Sequence, residues 1–173
     1  MGNVEDTNKG TGTEAGDAGV TGAVTDSLTT AWLAQAVVEE SPEAIVVADP
    51  QGTIRLWNAG ATRIFGFSAD EALGRNLDLI IPEKQRARHW KGYDQTMATG
   101  QTRYGDKLLS VPALHRDGHR LSIEFSVALL RDDAGAIAGI SAIMREVSER
   151  RNAERELRGR LAELENSTRA GAH

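Results

Sequence analysis

The chain has 173 residues, a net charge of −5, 40% hydrophobic residues and no cysteine. This length suits one domain with a buried core, and the lack of cysteine excludes disulfides, thiolate nucleophiles and cysteine-linked chromophores. The first 40 residues contain seven acidic residues against one lysine, so the remaining body is nearly neutral and does not favour nucleic-acid binding. No apolar run approaches the roughly 20 residues of a membrane span or forms a signal peptide. We therefore expect a cytoplasmic protein with no membrane partner.

The chain begins with residues 1–26, which are rich in glycine, threonine and acidic residues and contain no aromatic residue. Such a segment buries too little apolar surface to offset the entropy lost on ordering, so we predict a disordered tail. Asp26 or Ser27 can cap a leading helix over 27–40. Its apolar positions form a stripe that ends before Ser41 and the proline that follows it.

Two antiparallel strands are predicted next, because a β-branched run over 44–49 and an alternating run over 53–57 flank an Asp-Pro-Gln-Gly turn. Two short helices follow them. Asn58 can cap the first, which Gly66 ends, and Ser68 has capping-box spacing to a glutamate three residues later. A helical crossover is therefore expected after the second strand.

The longest helix of the domain is predicted between Pro82 and Gly100. It places His89 and Tyr93 one turn apart on a shared face. Three strands separated by turns then complete a five-stranded sheet. They are predicted over 102–114, 119–130 and 137–144.

From Ser148 the sequence becomes strongly charged around one narrow apolar seam, formed by Ala153, Leu157, Leu161 and Leu164. This pattern predicts an exit helix over 148–166 that either packs on the domain or forms a short coiled coil. The seam favours a homodimer. Residues 167–173 are expected to form a terminal tail.

Several local motifs, in this order of elements, resemble the PAS family. They are Ser41-Pro-Glu-Ala-Ile-Val-Val-Ala-Asp49, Gly52-Thr-Ile-Arg-Leu-Trp-Asn58, Phe65-Gly-Phe-Ser68, Arg116-Asp-Gly118 and Met144-Arg-Glu-Val-Ser-Glu-Arg150, with glutamate at 146 where the family usually has aspartate. The resemblance implies an α+β PAS fold over 41–147. Its five-stranded antiparallel sheet has a helical crossover that includes the long helix, and helices flank it at both ends.

The same resemblance implies a sensory or interaction module of signal transduction that is not an enzyme. Because no effector domain follows in this sequence, we expect either a partner in trans, such as a histidine kinase or a regulator, or an isolated sensory piece. Catalysis has no support in the residues, since the candidate carboxylates Glu71, Asp78 and Glu124 are scattered and no phosphate-binding loop is present.

Within the PAS family, residues 80–130 look most like the haem-binding oxygen sensors of bacterial histidine kinases. The match runs through Arg86-Ala-Arg-His89, Met97-Ala-Thr-Gly100 and Arg116-Asp-Gly118. The family's proximal iron ligand falls at His89, and a neutral imidazole facing apolar strands suits that role. The resemblance therefore implies haem b and the sensing of CO, NO or O2. The cofactor-binding positions it implies are Tyr93, Arg103, Tyr104, Leu109, Phe125, Val127 and Met144, with Arg103 as the partner of a haem propionate.

One position departs from those sensors, because Leu109 stands where they have an arginine that hydrogen-bonds oxygen. Without this arginine, the affinity for oxygen is expected to fall more than the affinity for carbon monoxide or nitric oxide. Leu77 likewise stands where a photoreceptor motif beginning at Gly74 would have its reactive cysteine. Covalent flavin photochemistry is therefore excluded, and a noncovalent flavin stays open.

Two functions of different classes remain for this chain. In the first, a haem-based gas sensor signals through the exit helix. In the second, a cofactor-free PAS module dimerises, binds a protein or takes up a small apolar ligand, and His89 is a rim histidine bonded to water. His115 and His119, which flank a hairpin turn, are expected to be solvated.

Overall fold

The structure is a computed structural model that describes residues 29–102 and 107–170, apart from the side chains of 168–170. The predicted tail, the cap of the leading helix, Arg103 and Tyr104 lie outside these residues. The described helices and strands are α1 (Thr30–Glu40), β1 (Ala44–Ala48), β2 (Ile54–Trp57), α2 (Ala59–Phe65), α3 (Ala69–Ala72), a 3-10 helix (Leu77–Leu79), α4 (Glu83–Thr99), β3 (Leu109–Leu114), β4 (Arg120–Arg131), β5 (Ile137–Glu146) and α5 (Ser148–Ala170).

The described residues divide into two units within α1, one ending at Ala36 and one beginning at Val37, and the sheet belongs wholly to the second. In α1 itself, all eleven residues are described and none is buried. The side chains of Trp32, Leu33 and Val37 are exposed.

The five strands form one antiparallel sheet in the order β2-β1-β5-β4-β3, with α2, α3 and α4 inserted between β2 and β3. The predicted α+β fold is confirmed. Its chain order brings the first strand of the sheet against the last one, so β5 lies at the centre between β1 and β4.

The core lies on the face of the sheet that the crossover helices cover. Alternate residues of β1 and β4 point into it, and Phe65 of α2 packs its ring 5.4 Å from that of Trp57. Fully buried aliphatic residues such as Ile54 and Ile123 stabilise it through the transfer of apolar surface out of water.

Asn58 is a buried polar residue at the centre of the N-terminal half of this unit. Its side-chain oxygen accepts hydrogen bonds from the backbone amides of Ile45 (2.9 Å) and Ala61 (2.8 Å). The bond from Ala61 is the predicted N-terminal cap of α2. Its side-chain amide donates to the carbonyls of Val38 (2.8 Å) and Glu43 (3.0 Å). Every polar atom of the side chain is thus paired, which makes its burial tolerable.

Some boundaries differ from the predicted ones. Strand β3 begins at Leu109 rather than at residue 102, because its ladder with β4 opens at the pair Leu109–Phe125. Strand β5 continues two residues beyond Met144. Helix α5 continues to Ala170 rather than ending at 166, since neither glycine nor proline interrupts the sequence between 160 and 170.

Candidate functional site

A cavity of about 140 Å3 lies between α4 and the inner face of the sheet. Its walls are almost entirely apolar, because the sheet contributes only aliphatic and aromatic side chains. The lining residues are Val46, Ala48, Leu77, Ile80, Ile81, His89, Tyr93, Val111, Pro112, Ala113, Ile123, Phe125, Val127, Ile140, Ala142 and Met144.

Helix α4 is positioned over this cavity by polar and aromatic contacts rather than by an apolar face. Arg86 donates hydrogen bonds to the carbonyls of Ile81 (3.1 Å) and Asp78 (3.0 Å). One turn later, the indole nitrogen of Trp90 donates to the Asp78 carboxylate (2.8 Å). The Trp90 ring also lies where a side chain at Gly52 would stand, since a Cβ there would be 2.2 Å from the ring. The helix is therefore fixed at its edges and leaves space beneath its middle.

Tyr93 is the one buried residue of α4, all of whose residues are described. Its ring lines the cavity, and its hydroxyl donates a hydrogen bond to the backbone carbonyl of Asp49 in the turn between β1 and β2. Burial, together with the negative charge of Asp49, raises the pKa of Tyr93 to about 12. The hydroxyl therefore stays protonated, and its hydrogen is engaged in the bond to Asp49.

His89 faces the same cavity and carries an unsatisfied nitrogen. Its Nδ1 is buried and has no hydrogen-bond partner, the single such side-chain atom in the described part of the chain. Its ring stands edge-on to that of Trp90 at 4.9 Å and lies 5.7 Å from that of Tyr93. Burial lowers the pKa of His89, against the opposing charges of Asp78 and Asp94. The imidazole is thus kept neutral, the form that ligates metal ions.

The structure brings together most of the predicted site residues that it describes. His89, Tyr93, Phe125, Val127 and Met144 all line the cavity. Leu109 does not: it is the first residue of β3, on the same side of the strand as Val111, and it is not part of the cavity wall. Arg103 and Tyr104 lie outside the described residues.

The aliphatic residues that β1 and β5 add to the cavity wall were not among the predicted site residues. Val46, Ala48, Ile140 and Ala142 occupy alternate positions of the two strands, a period-two signal that was available in the sequence. The sequence does not reveal that β1 and β5 are paired neighbours beneath α4, with Val46 opposite Ala142, 96 positions later in the chain.

The exit helix is joined to the sheet through β4. The amide of Ser148, the first residue of α5, donates to the Glu146 carboxylate (2.7 Å), which satisfies one of the free amides at the start of the helix. The amide of Ser122 in β4 donates to the Ser148 hydroxyl (2.9 Å), and Arg150 pairs with Glu124 at 2.5 Å. A shift of β4 would therefore reach the first turn of α5 directly.

The residue types around His89 fit a haem group, because a neutral imidazole with a free nitrogen faces an apolar wall. The volume is smaller than the roughly 300–1,000 Å3 of typical ligand pockets. A porphyrin therefore requires α4 to move away from the sheet. A molecule of about six heavy atoms needs no such movement, since an apolar cavity of about 150 Å3 accepts benzene.

Comparison with known proteins identifies the class. A family model described as PAS fold matches residues 38–152, and the chain belongs to the PAS family. The predicted family is thereby confirmed, and with it a place among the sensory domains of signalling proteins. Among the described residues, no helix is both long and apolar enough to cross a bilayer.

Two curated relatives match most of this chain. An uncharacterised protein of Azorhizobium caulinodans is 34% identical over 134 residues, which cover 77% of this chain and 18% of the relative. The sensor protein FixL of Bradyrhizobium diazoefficiens is 25% identical over 142 residues, covering 80% of this chain and 27% of that protein. The chain thus spans between about a fifth and a quarter of the length of these relatives.

Solved structures share the fold at lower identity. The PAS domain of a protein from Colwellia psychrerythraea superposes with a TM-score of 0.62 at 21% identity, over 70% of this chain and 99% of that one. An RNA-binding light-oxygen-voltage receptor gives a TM-score of 0.60 at 22% identity, over 92% of this chain and 42% of that one. At these identities the likeness concerns the fold.

Proposed function

We propose that this PAS domain binds haem b through His89 and senses a diatomic gas. The observation that carries the proposal is the buried, unpartnered Nδ1 of a neutral imidazole that faces an apolar cavity. A buried polar atom without a partner is unfavourable, and ligation of iron would satisfy the ring. The bound haem would supply the iron centre at which a gas can bind.

The resemblance of residues 80–130 to haem-binding oxygen sensors supports the same assignment. It rests on the arginine-rich turn before His89 and on the spacing from His89 to Gly100. One of the two curated relatives is named a sensor protein, which agrees with a sensory role.

The lining of the cavity favours CO or NO over O2 as the signal. Oxygen binding in the haem sensors relies on the arginine whose place Leu109 takes. In the described wall of the cavity, the sheet contributes only apolar side chains. The Tyr93 hydroxyl already donates its hydrogen bond to the Asp49 carbonyl. A gas that needs a hydrogen-bond donor is therefore disfavoured relative to one that does not.

A conformational change at the cavity would be transmitted through the contacts between β4 and the first turn of α5. Phe125 and Val127 of β4 line the cavity, while Ser122 and Glu124 of the same strand hold the first turn of α5. A displacement of β4 on gas binding would turn the exit helix and alter a homodimer or a contact with a partner in trans, such as a histidine kinase or regulator.

A second candidate function is favoured by the size of the cavity. About 140 Å3 of apolar space accepts a small apolar molecule without rearrangement, so a cofactor-free module with such a ligand remains the alternative. A noncovalent flavin has weaker support. Its ring system needs several polar partners, and among the described lining residues only His89 and Tyr93 offer side-chain polar atoms.

The proposal is tested by titrating the purified chain with hemin and reducing it under carbon monoxide. We expect a Soret band that shifts with the gas in the wild type and in His119→Ala, a control at an exposed histidine. In His89→Ala the affinity should fall by at least about tenfold, and added imidazole should restore the spectrum, because it replaces the missing ligand. Equal hemin affinity and equal spectra in the wild type and His89→Ala would overturn the proposal.

A further inference from the structure

We propose that the β3–β4 hairpin is a second ligand site, which binds one divalent transition-metal ion through His115, Asp117 and His119. The hairpin joins the two strands at the pair Leu114–Arg120. These residues do not line the cavity beneath α4, and the site is independent of haem binding.

The three side chains converge on one point. The Nδ1 atoms of His115 and His119 lie 3.0 Å and 2.5 Å from the same carboxylate oxygen of Asp117. The two imidazole rings stack with centroids 4.5 Å apart and planes 27° apart. One ligand atom from each residue lies within 4.8 Å of the others, so small side-chain rotations would place all three around one ion. His119 is exposed, as expected, whereas His115 is only partly exposed, and both rings contact the Asp117 carboxylate.

The hairpin holds this cluster in place before any ion arrives. The His115 amide donates to the His119 carbonyl (3.0 Å), and the Gly118 amide donates to the His115 carbonyl (2.9 Å). The far edge of the His115 ring lies against Gly66, where an added Cβ would stand 2.5 Å from Nε2. The ring is therefore braced on one side, and its Nδ1 is kept toward Asp117.

A second set of contacts fixes the hairpin to the helical crossover. The Arg116 guanidinium pairs with the Glu71 carboxylate at 2.7 Å, and the Arg116 amide donates to the Phe65 carbonyl at 2.9 Å. The turn is thus a supported element, which reduces the ordering cost of binding an ion.

The donor set selects the class of metal. Two imidazoles and one carboxylate suit Zn²⁺, Cu²⁺ or Ni²⁺, whereas Mg²⁺ and Ca²⁺ require mostly oxygen ligands. Three protein ligands leave a fourth position for water in a tetrahedral site.

The test is a calorimetric titration of the full chain with Zn²⁺. We expect one ion per chain. Affinity should fall at least about tenfold in His119→Ala, whose side chain is exposed, and in Asp117→Asn, which keeps an oxygen for the turn but loses the charge. His89→Ala and His173→Ala are the matched controls, because together with His115 and His119 they complete the four histidines of the chain. Both should bind zinc like the wild type.

A thermal melt separates binding from misfolding. Zinc should raise the unfolding midpoint of the wild type and of His173→Ala but not that of His119→Ala, while all three should melt alike without zinc. The proposal is overturned if the wild type takes up no zinc, if His119→Ala binds it unchanged, or if the loss of His89 or His173 abolishes binding.

Discussion

At the scale of single residues, His89 combines two properties that oppose stability. Its Nδ1 is buried without a partner, and burial lowers the pKa of the ring from its ordinary value of 6.5. A histidine that merely supported the fold would be expected to find a hydrogen-bond partner. In the proposed haem-bound form, ligation of iron would account for this unpaired buried nitrogen.

This lowered pKa predicts a pH dependence of the haem-free protein. The unfolded chain binds a proton at His89 more readily than the folded chain does, so the free energy of unfolding decreases as the pH falls below about 6.5 toward the lower folded pKa. Above that pH range, His89 does not contribute to the pH dependence of the free energy of unfolding. The wild type should thus lose stability between pH 7 and pH 5 more steeply than His89→Ala.

Urea unfolding at several pH values measures this slope. His119→Ala is the control and should keep the steeper pH dependence of the wild type. Parallel curves for the wild type and His89→Ala between pH 7 and pH 5 would show that the His89 pKa is not lowered by folding.

At the scale of elements, α4 depends on a contact between Trp90 and the turn that joins β1 to β2. Gly52 in that turn has a φ of 78°, which disfavours any side chain, and a Cβ would meet the Trp90 ring at 2.2 Å. The spacing between α4 and the sheet, and hence the cavity, is set in part by this close approach.

Gly52→Ala should therefore reduce the free energy of unfolding by about 2–4 kcal/mol, from left-handed strain and overpacking together. Gly92→Ala in α4 is the matched control. Nothing lies within 4 Å of its added Cβ, so it should stabilise the protein by up to about 1 kcal/mol through helix propensity. Urea unfolding measures both, and a Gly52→Ala midpoint equal to that of the wild type would contradict the role of this contact.

At the scale of the whole molecule, α5 presents its apolar seam to solvent in the single chain. Leu157, Leu161 and Leu164 are 65%, 59% and 65% exposed, which favours burial of the seam against a second copy. We expect the wild type to sediment as a dimer at micromolar concentration, and Leu161→Glu to sediment as a monomer.

Gly159→Glu is the control for this prediction, since it adds the same charge to α5 at a position with open space around it. It should remain dimeric. A wild type that sediments as a monomer well above micromolar concentration would rule out the dimer through α5.

Local signals predicted the elements of this fold because their causes are local. Asn58 caps α2, Ser68 and Glu71 form the capping box of α3, and Gly100 ends α4 in a left-handed conformation, all as the sequence indicates. The start of β3 was misplaced because its ladder is set by the length over which β4 pairs with it, not by its own composition.

The site was only partly predictable for the same reason. Matching positions of the haem sensors led to His89 and to four other described residues of the cavity wall. The size of the cavity depends on Trp90 meeting Gly52, and the His115–His119 stack depends on a ring braced by Gly66. Such contacts join residues far apart in sequence, so periodicity does not reveal them.

The absorption spectrum of the wild-type protein, purified from cells supplied with a haem precursor, tests the central assignment most directly. We expect a Soret band in the isolated protein that shifts when carbon monoxide is added to the reduced sample. A colourless protein that also fails to take up added hemin would contradict it and would leave a cofactor-free PAS module with a small apolar cavity.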